Sequence, residues 1–128
     1  MPRKSTTSTK SKRVAKARHS VYVVELSKRV YTEDRRFREA NPQFKGVLEC
    51  LYVGMTSKAP KQRLSQHLNG TKSKKGHNLA SSVVRKYGLY LRPSLYAHLN
   101  PLSKTAAANM EKTLAEELKR KGYAVWWN

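Results

Sequence analysis

The sequence predicts a small α+β domain that follows a basic tail, and three observations lead to this fold class. The chain has 128 residues and 38% hydrophobic content, which is enough for one modest core but not for two. Short runs of β-branched and aromatic residues at 21–26 and 47–54 are typical of buried strands. Apolar residues at helical spacing within 104–121 indicate a long amphipathic helix. We therefore expect strands and helices packed in one globular unit, residues 19–128.

The charge balance is the strongest compositional signal. The chain has 27 Lys and Arg residues against 8 Asp and Glu residues, for a formal net charge of +19 at pH 7. Such an excess repels itself in a compact state unless an anion relieves the repulsion. Nucleic acid is the expected partner, and binding that releases counterions from several phosphates should weaken steeply with salt. Composition alone fits an inactive ribosomal-type or chromatin-type binding protein equally well.

The basic tail is the segment 1–18. After Met1 its only large aliphatic residue is Val14, and it contains no acidic residue. Because it has little to bury that would offset the entropy of ordering, we expect it to be disordered and to contact phosphates. A mitochondrial transit peptide would have a similar composition, but the bulky apolar residues of an amphipathic face are missing here.

Cysteine content and hydropathy bear on the compartment. The single cysteine, Cys50, cannot form an internal disulfide, and its expected state is a buried thiol. No run approaches the roughly 20 apolar residues that span a bilayer. The N-terminus also lacks the apolar core of a secretory signal. These features predict a soluble, cytoplasmic protein with no membrane partner.

The first two predicted strands each carry a tyrosine. One covers residues 21–26 and contains Tyr22, and the other covers residues 47–54 and contains Tyr52. Strands that follow one another along the chain usually lie side by side in a sheet. We therefore expect an antiparallel pair in which the two tyrosines face each other.

The connection between these strands, residues 27–46, is charged and contains Asn41 followed by Pro42. A connection of this length is longer than most hairpin loops. The pattern predicts an insertion or a long hairpin connection, with a short helical turn around residues 35–40.

A helix is predicted after the second strand. Pro60 suits its first turn, where no backbone N–H is needed. Leu64 and Leu68 mark the expected core face. Arg63 and His67 share another face of the same helix.

A basic loop, residues 72–76, follows this helix. Asn78 can cap a further helix that runs through Tyr87 and ends at Gly88. The closely spaced lysines of the loop are suited to contact the backbone phosphates of a nucleic acid. The cations of the loop and of the helix are the predicted nucleic-acid-binding residues, namely Lys72, Lys74, Lys75, Arg85 and Lys86.

The last third of the chain predicts a strand, a helix and a packed terminus. The third strand lies within residues 89–99, with limits that a proline leaves undefined. Ser103 caps the longest helix, residues 104–121, and Gly122 ends it. The terminal segment 123–128 is expected to pack back on the sheet.

One carboxylate interrupts the apolar stripe of the longest helix. Glu111 lies among Ala107, Met110, Leu114 and Leu118 at helical spacing. A carboxylate at a core-facing position is costly unless a cation, hydrogen-bond donors or a water-filled pocket compensates. Two interpretations remain open: a stabilising ion pair with an arginine, or a ligand for a hard divalent ion such as Mg²⁺.

Four short motifs, in this order, resemble those of the GIY-YIG nuclease superfamily. They are Ser20-Val21-Tyr22, then Leu51-Tyr52-Val53-Gly54-Met55-Thr56, then Arg63-Leu64-Ser65-Gln66-His67, and finally Ala107 with Glu111 four residues later. The resemblance covers residues 20–128 and implies a three-stranded antiparallel sheet flanked by helices. Two departures are visible: Ser20 stands where the first motif usually has glycine, and the 27–46 insertion separates the two tyrosines more widely than is usual.

The resemblance implies a catalytic role for each matched residue. Tyr22, helped by Tyr52 or His67, would orient or deprotonate the attacking water. Arg63 would neutralise the non-bridging phosphate oxygens through its planar fork of donors. Glu111 would hold a divalent metal ion, Mg²⁺ or Mn²⁺, near the leaving oxygen.

The supporting match and the alternatives are weaker. Asn128 matches a late asparagine of the family and is a possible supporting residue. Taken singly, tyrosines in strands are more often core residues, and a helix arginine is more often solvated. A catalytically inactive nucleic-acid-binding module on the same fold is the main alternative. A sequence-specific restriction or homing-type enzyme would usually carry extra recognition domains, so we expect a small stand-alone endonuclease that is weakly specific or structure-selective. DNA is the expected substrate rather than RNA.

Overall fold

A computed structural model describes residues 17–69 and 82–127. Its regular elements follow one another along the chain. They are β1 (Ser20–Leu26), α1 (Arg29–Glu33), α2 (Arg35–Glu39), β2 (Cys50–Thr56), α3 (Pro60–Asn69), α4 (Ser82–Tyr87), β3 (Gly88–Leu91), two 3₁₀ turns (Pro93–Leu95 and Ala97–Leu99), α5 (Lys104–Arg120) and β4 (Ala124–Trp127).

The sheet has four strands in the order β3-β1-β2-β4. β1 pairs antiparallel with both β2 and β3, whereas β4 lies parallel to β2. The three predicted strands are present and antiparallel, but the prediction missed a fourth strand, β4, which is parallel to its neighbour. The terminal segment does pack on the sheet, but it does so as a strand. Four apolar residues are too few to show the alternation of a strand in the sequence. Because α5 returns the chain to the end of the sheet where β2 begins, β4 runs parallel to β2.

The third strand is shorter than the predicted region. β3 ends at Leu91, and the Arg92 backbone N–H makes one further bond to the carbonyl of Val23, at 2.9 Å. Pro93 has no N–H to continue a ladder, and the chain turns into the first 3₁₀ segment there. The proline therefore sets the boundary that the apolar pattern left open.

The insertion contains two short helices, and the predicted turn around residues 35–40 is α2. Asp34 caps α2 by accepting a hydrogen bond from the Phe37 N–H at 3.0 Å. Val30 and Phe37 are fully buried, so both helices contribute to the core.

The structure confirms most of the predicted boundaries and core-facing residues of the two longer helices, α3 and α5. Ser103 caps α5 through the Ala106 N–H, and Gly122 follows with a φ of +110° that favours glycine. α5 packs on β4, β2 and β1. On α3 the predicted core face is partly wrong, because Leu68 is 42% exposed while His67 is only 1% exposed. A hydrogen bond inside the domain compensates the buried imidazole, and apolarity alone could not indicate that.

Several predictions fall outside the described residues. They concern residues 1–16 of the tail, the loop cations Lys72, Lys74 and Lys75, the cap Asn78, and Asn128. The helix predicted from Asn78 is described from Ser82, and it ends at Tyr87, one residue before Gly88. None of the helices in the described part of the chain combines the length and apolarity needed to cross a bilayer.

Candidate active site

The central strand pair brings Tyr22 and Tyr52 together on one face of the sheet. In the register of β1 and β2, Tyr22 lies opposite Gly54, and Tyr52 lies opposite Val24. The tyrosines are therefore diagonal neighbours rather than direct partners, with ring centroids 6.1 Å apart. Both are only 1% exposed.

Gly54 leaves the space that the Tyr22 ring occupies. A Cβ at this position would lie 2.6 Å from both Cζ and the hydroxyl oxygen of Tyr22, and 2.9 Å from Cε2 of Tyr52. Any side chain here would displace one of the two rings. The sequence analysis places Gly54 in a motif, but it does not predict that the Tyr22 ring packs directly against the backbone of this glycine.

His67 of α3 completes a buried cluster with the two tyrosines. Its Nε2 lies 2.7 Å from the Tyr22 hydroxyl oxygen. Its ring meets that of Tyr52 edge to face, with centroids 5.6 Å apart. Pro60 and the helical phase of α3 place His67 over the strands. The sequence placed His67 in the site but did not reveal this hydrogen bond.

Burial dominates the electrostatics of the cluster. It raises the pKa of Tyr22 far above the usual phenol value, Tyr52 raises it further, and the positive charge of Arg63 opposes the shift. Burial also lowers the pKa of His67 to about 4, and Arg63 lowers it further. At neutral pH the phenol is protonated and the imidazole is neutral, so the imidazole can accept a hydrogen bond from the phenol.

Arg63 connects the buried cluster to an open surface. It is half-buried on α3 and donates a hydrogen bond to Oε1 of Gln66 at 3.0 Å. It also interacts with the Tyr22 hydroxyl. An open depression of about 250 Å³ lies beside it, lined by Met55, Thr56, Ser57, Lys58, Arg63 and Gln66. An anion in this depression would meet the guanidinium edge and Lys58.

Glu111 is a buried carboxylate on the helix that packs across both tyrosine-bearing strands. It is 9% exposed, and burial raises the pKa of its carboxyl to about 7. Within residues 17–69 and 82–127, no hydrogen bond or ion pair engages this carboxylate, so the ion-pair interpretation has no arginine there. No such contact joins Glu111 to Tyr22 or His67 either.

An uncompensated buried carboxylate is the chemistry that a hard divalent cation would satisfy. The described residues contain no group of three or more His, Cys, Asp or Glu side chains that could hold a metal ion. A site here would therefore have one protein carboxylate, with water and substrate phosphate as its other ligands. Mg²⁺ commonly binds with few protein ligands, so the residues present fit such an ion.

The predicted nucleic-acid-binding residues that the structure describes lie on α4. Arg85 and Lys86 are both exposed. The Lys86 ammonium sits 5.4 Å from the centroid of the Tyr87 ring. They form no part of the tyrosine and histidine cluster.

A comparison with known protein families identifies the class of domain to which this chain belongs. The model of the GIY-YIG catalytic domain matches residues 44–124, which is more than half of the chain. The chain is a member of the GIY-YIG family. Comparisons with curated proteins and with solved structures gave no match. The matched segment begins after β1, so Tyr22 is tied to the site by strand register and by its bond to His67.

Proposed function

We propose that this protein is a metal-dependent endonuclease that hydrolyses phosphodiester bonds in nucleic acid, with DNA as the preferred substrate. Family membership supports a nuclease in general, because GIY-YIG domains are endonuclease domains. The net charge of +19 supports a polyanionic substrate. The observation that carries the proposal is the buried hydrogen bond between Tyr22 and neutral His67, beside Arg63.

Tyr22 and His67 would act together as the base. A tyrosinate is strongly disfavoured by burial, so Tyr22 alone is a poor proton acceptor at neutral pH. In the His67 tautomer protonated at Nδ1, Nε2 accepts the Tyr22 proton. The Tyr22 oxygen would then accept a proton from water as its own proton passes to His67, and the negative charge that grows on the phosphate would stabilise the imidazolium that burial and Arg63 disfavour in the free protein. The water oxygen bonds to phosphorus, and the bond from phosphorus to the leaving oxygen breaks.

Arg63 would bind the phosphate under attack. Its planar fork can donate two hydrogen bonds to non-bridging oxygens, where negative charge grows in the transition state. Lys58, in the same depression, would add a second positive charge. Tyr52 would hold the ring of Tyr22 and the edge of His67 in position.

Glu111 would hold the divalent ion. When bound, such an ion supplies positive charge that stabilises the leaving oxygen and the phosphate. The carboxylate itself contributes a hard oxygen ligand whose buried charge would then be compensated.

The test is Glu111→Gln, with Glu116→Gln as the matched control because Glu116 is exposed on the same helix. A neutral amide binds a hard cation poorly, so Glu111→Gln should lose at least about 100-fold in single-turnover cleavage with Mg²⁺, comparable to the loss of a transition-state contact. It should keep its fold and its affinity for nucleic acid. Single-stranded, duplex, flap and RNA substrates, each with Mg²⁺, Mn²⁺ or chelator, define the substrate class.

Three results would contradict the proposal. Cleavage that persists in chelator would show that the reaction does not need a metal ion. Full activity in Glu111→Gln would show that Glu111 has no role in the reaction. A wild-type protein that binds nucleic acid but cuts none of the substrates would be an inactive binding module.

A further inference from the structure

The insertion places α2 beside the tyrosine-bearing face of the sheet. In the parallel register of β2 and β4, Tyr52 is the partner of Trp126. Partners in register point to the same face, and adjacent strands lie about 5 Å apart. Trp126 therefore flanks Tyr52 on the side away from Tyr22. α2 covers this end of the row, with Phe37 against the indole at a centroid distance of 6.4 Å.

Arg36 of α2 lies over the half-exposed Trp126 ring. Its guanidinium carbon is 5.8 Å from the ring centroid, and its side chain is otherwise exposed. A guanidinium stacked on an aromatic face keeps its N–H edges free to donate in its own plane. Arg36 thus lies against the ring without using its hydrogen bonds.

The other arginines of the two insertion helices are engaged. Arg29 and Arg35 each pair with a glutamate four residues further along the same helix, at 3.5 and 2.8 Å. Arg38 donates to the carbonyls of Tyr31 and Thr32. Of these four, in the part of the chain that the structure describes, only Arg36 has neither an ion pair nor a hydrogen bond.

The acidic side chains next to Arg36 are also committed elsewhere. Asp34 caps α2, and Glu33 accepts a hydrogen bond from the Tyr87 hydroxyl at 3.0 Å. Neither forms an ion pair with Arg36 in the described residues. The positive charge of Arg36 is therefore available to an external anion.

The insertion is attached to the sheet a few residues after Arg36, which positions the helix that carries this residue. Asn41 is fully buried and bonds both backbone groups of Val125, at 2.7 and 3.1 Å. Gln43 bonds the carbonyl of Tyr123 at 3.0 Å. These bonds tie the insertion to the outer edge of β4.

We propose that Arg36, stacked on Trp126, binds a backbone phosphate of the nucleic acid whose scissile phosphate lies at Arg63. The insertion would thereby supply a substrate-positioning contact one strand away from Tyr52. This inference rests on the proposed function in that the partner is nucleic acid, but it requires binding only and not cleavage.

The experiment compares Arg36→Gln with Arg35→Gln, using a labelled duplex DNA in chelator. The two variants lose the same charge from adjacent positions of one helix. Arg36→Gln should weaken binding about tenfold, as expected for one charge-assisted contact. It should also lower the salt slope by about one. Arg35→Gln should change the affinity by less than about twofold, because that charge is exposed and already paired.

A phosphate scan identifies the contact. Single methylphosphonate substitutions in the DNA remove the charge of one phosphate at a time. At one position the substitution should weaken binding by the wild-type protein but leave binding by Arg36→Gln unchanged. Arg36→Lys keeps the charge but lacks the planar fork, so it should lose part of the affinity with an unchanged salt slope. Melting temperatures show that each variant is folded.

Several outcomes would overturn this inference. They are equal losses in Arg36→Gln and Arg35→Gln, full affinity in either Arg36 variant, and a phosphate scan with no position specific to Arg36. A lower melting temperature of Arg36→Gln with unchanged affinity would show that the contact between Arg36 and Trp126 stabilises the fold and does not bind nucleic acid. If the wild-type protein binds DNA but never cleaves it, the proposed function fails while this comparison still decides the role of Arg36.

Discussion

At the residue scale, the candidate site depends on the absence of a side chain at Gly54 and on the buried hydrogen bond between Tyr22 and His67. Gly54 gives Tyr22 its place, and the hydroxyl reaches His67 only because the ring lies over the backbone of β2. Both features depend on close approach between residues that are distant in sequence. A motif can indicate that such a glycine belongs to the site, but only the packed strands show what it accommodates.

We predict that Gly54→Ala reduces cleavage strongly while leaving nucleic-acid affinity nearly unchanged. The new Cβ would stand 2.6 Å from the Tyr22 ring, so the ring must move away from His67. The free energy of unfolding should fall by about 1–3 kcal/mol, as for other overpacked sites. Single-turnover rates and urea unfolding measure the two effects.

Tyr22→Phe is the control for this prediction, because it removes the hydroxyl without adding volume. If Gly54→Ala acts by displacing that hydroxyl, the double variant should cut no more slowly than Tyr22→Phe alone. Additive losses in rate would show that Gly54 acts through something other than Tyr22.

We also predict that Glu111 makes the stability of the metal-free protein depend on pH. The pKa of its carboxyl is about 7 in the folded protein and 4.5 as the reference value, so the folded state binds more protons between these pH values. The free energy of unfolding therefore falls as the pH rises from 4.5 through 7. Glu111→Gln removes this loss, so it should melt at a higher temperature than wild type at pH 8 and at a similar one at pH 5.

The melting curves are recorded in chelator, with Glu116→Gln as control for the change in net charge. An equal stabilisation by both substitutions would indicate general charge repulsion. A destabilised Glu111→Gln at pH 8 would indicate that the carboxylate has a stabilising partner.

At the element scale, regular patterns were predictable and edge contacts were not. β1 and α5 were predicted almost to the residue, because β1 is a dense β-branched run and α5 has both a cap and a terminal glycine. β4 was predicted only as a packed segment, because four residues show no period. The insertion was recognised by its charge, but its attachment to β4 depends on one buried amide, Asn41, which looks in the sequence like an ordinary turn residue beside a proline.

We predict that Asn41→Ala destabilises the protein by about 2–4 kcal/mol, because it leaves both buried backbone groups of Val125 without a partner. Asn69→Ala is the matched control, since Asn69 is exposed and its side chain donates a hydrogen bond to the Ser65 hydroxyl on its own helix. Urea unfolding measures both variants. Equal stability of the two would mean that water replaces the Asn41 amide and that the insertion is not held by it.

At the scale of the whole molecule, the candidate site is one compact cluster, whereas basic residues are spread along the whole sequence. Tyr22, Tyr52, Arg63 and His67 lie together, as their motifs suggested, whereas the exposed cations of the described residues are spread along the chain, Lys28 and Lys121 among them. The distances between these residues could not be predicted, because the residues meet only through strand register and the packing of α3. General attraction to a polyanion requires only net charge, which composition alone determines.

Removal of residues 1–18 should therefore leave a folded domain with weaker and less salt-dependent binding. The segment holds seven of the 27 basic residues. The cut leaves His19 in place, and both of its backbone bonds to Leu102, at 2.8 Å, are retained. Each lost phosphate contact should lower the logarithmic salt slope on duplex DNA by about 0.9. The measurements are dissociation constants in chelator at several salt concentrations, with melting temperatures of both chains. A full-length chain with serine at the seven basic positions separates charge from length, and it should behave like the truncated protein. An unchanged affinity and slope after truncation would show that the predicted tail makes no phosphate contact and that the domain alone binds the substrate.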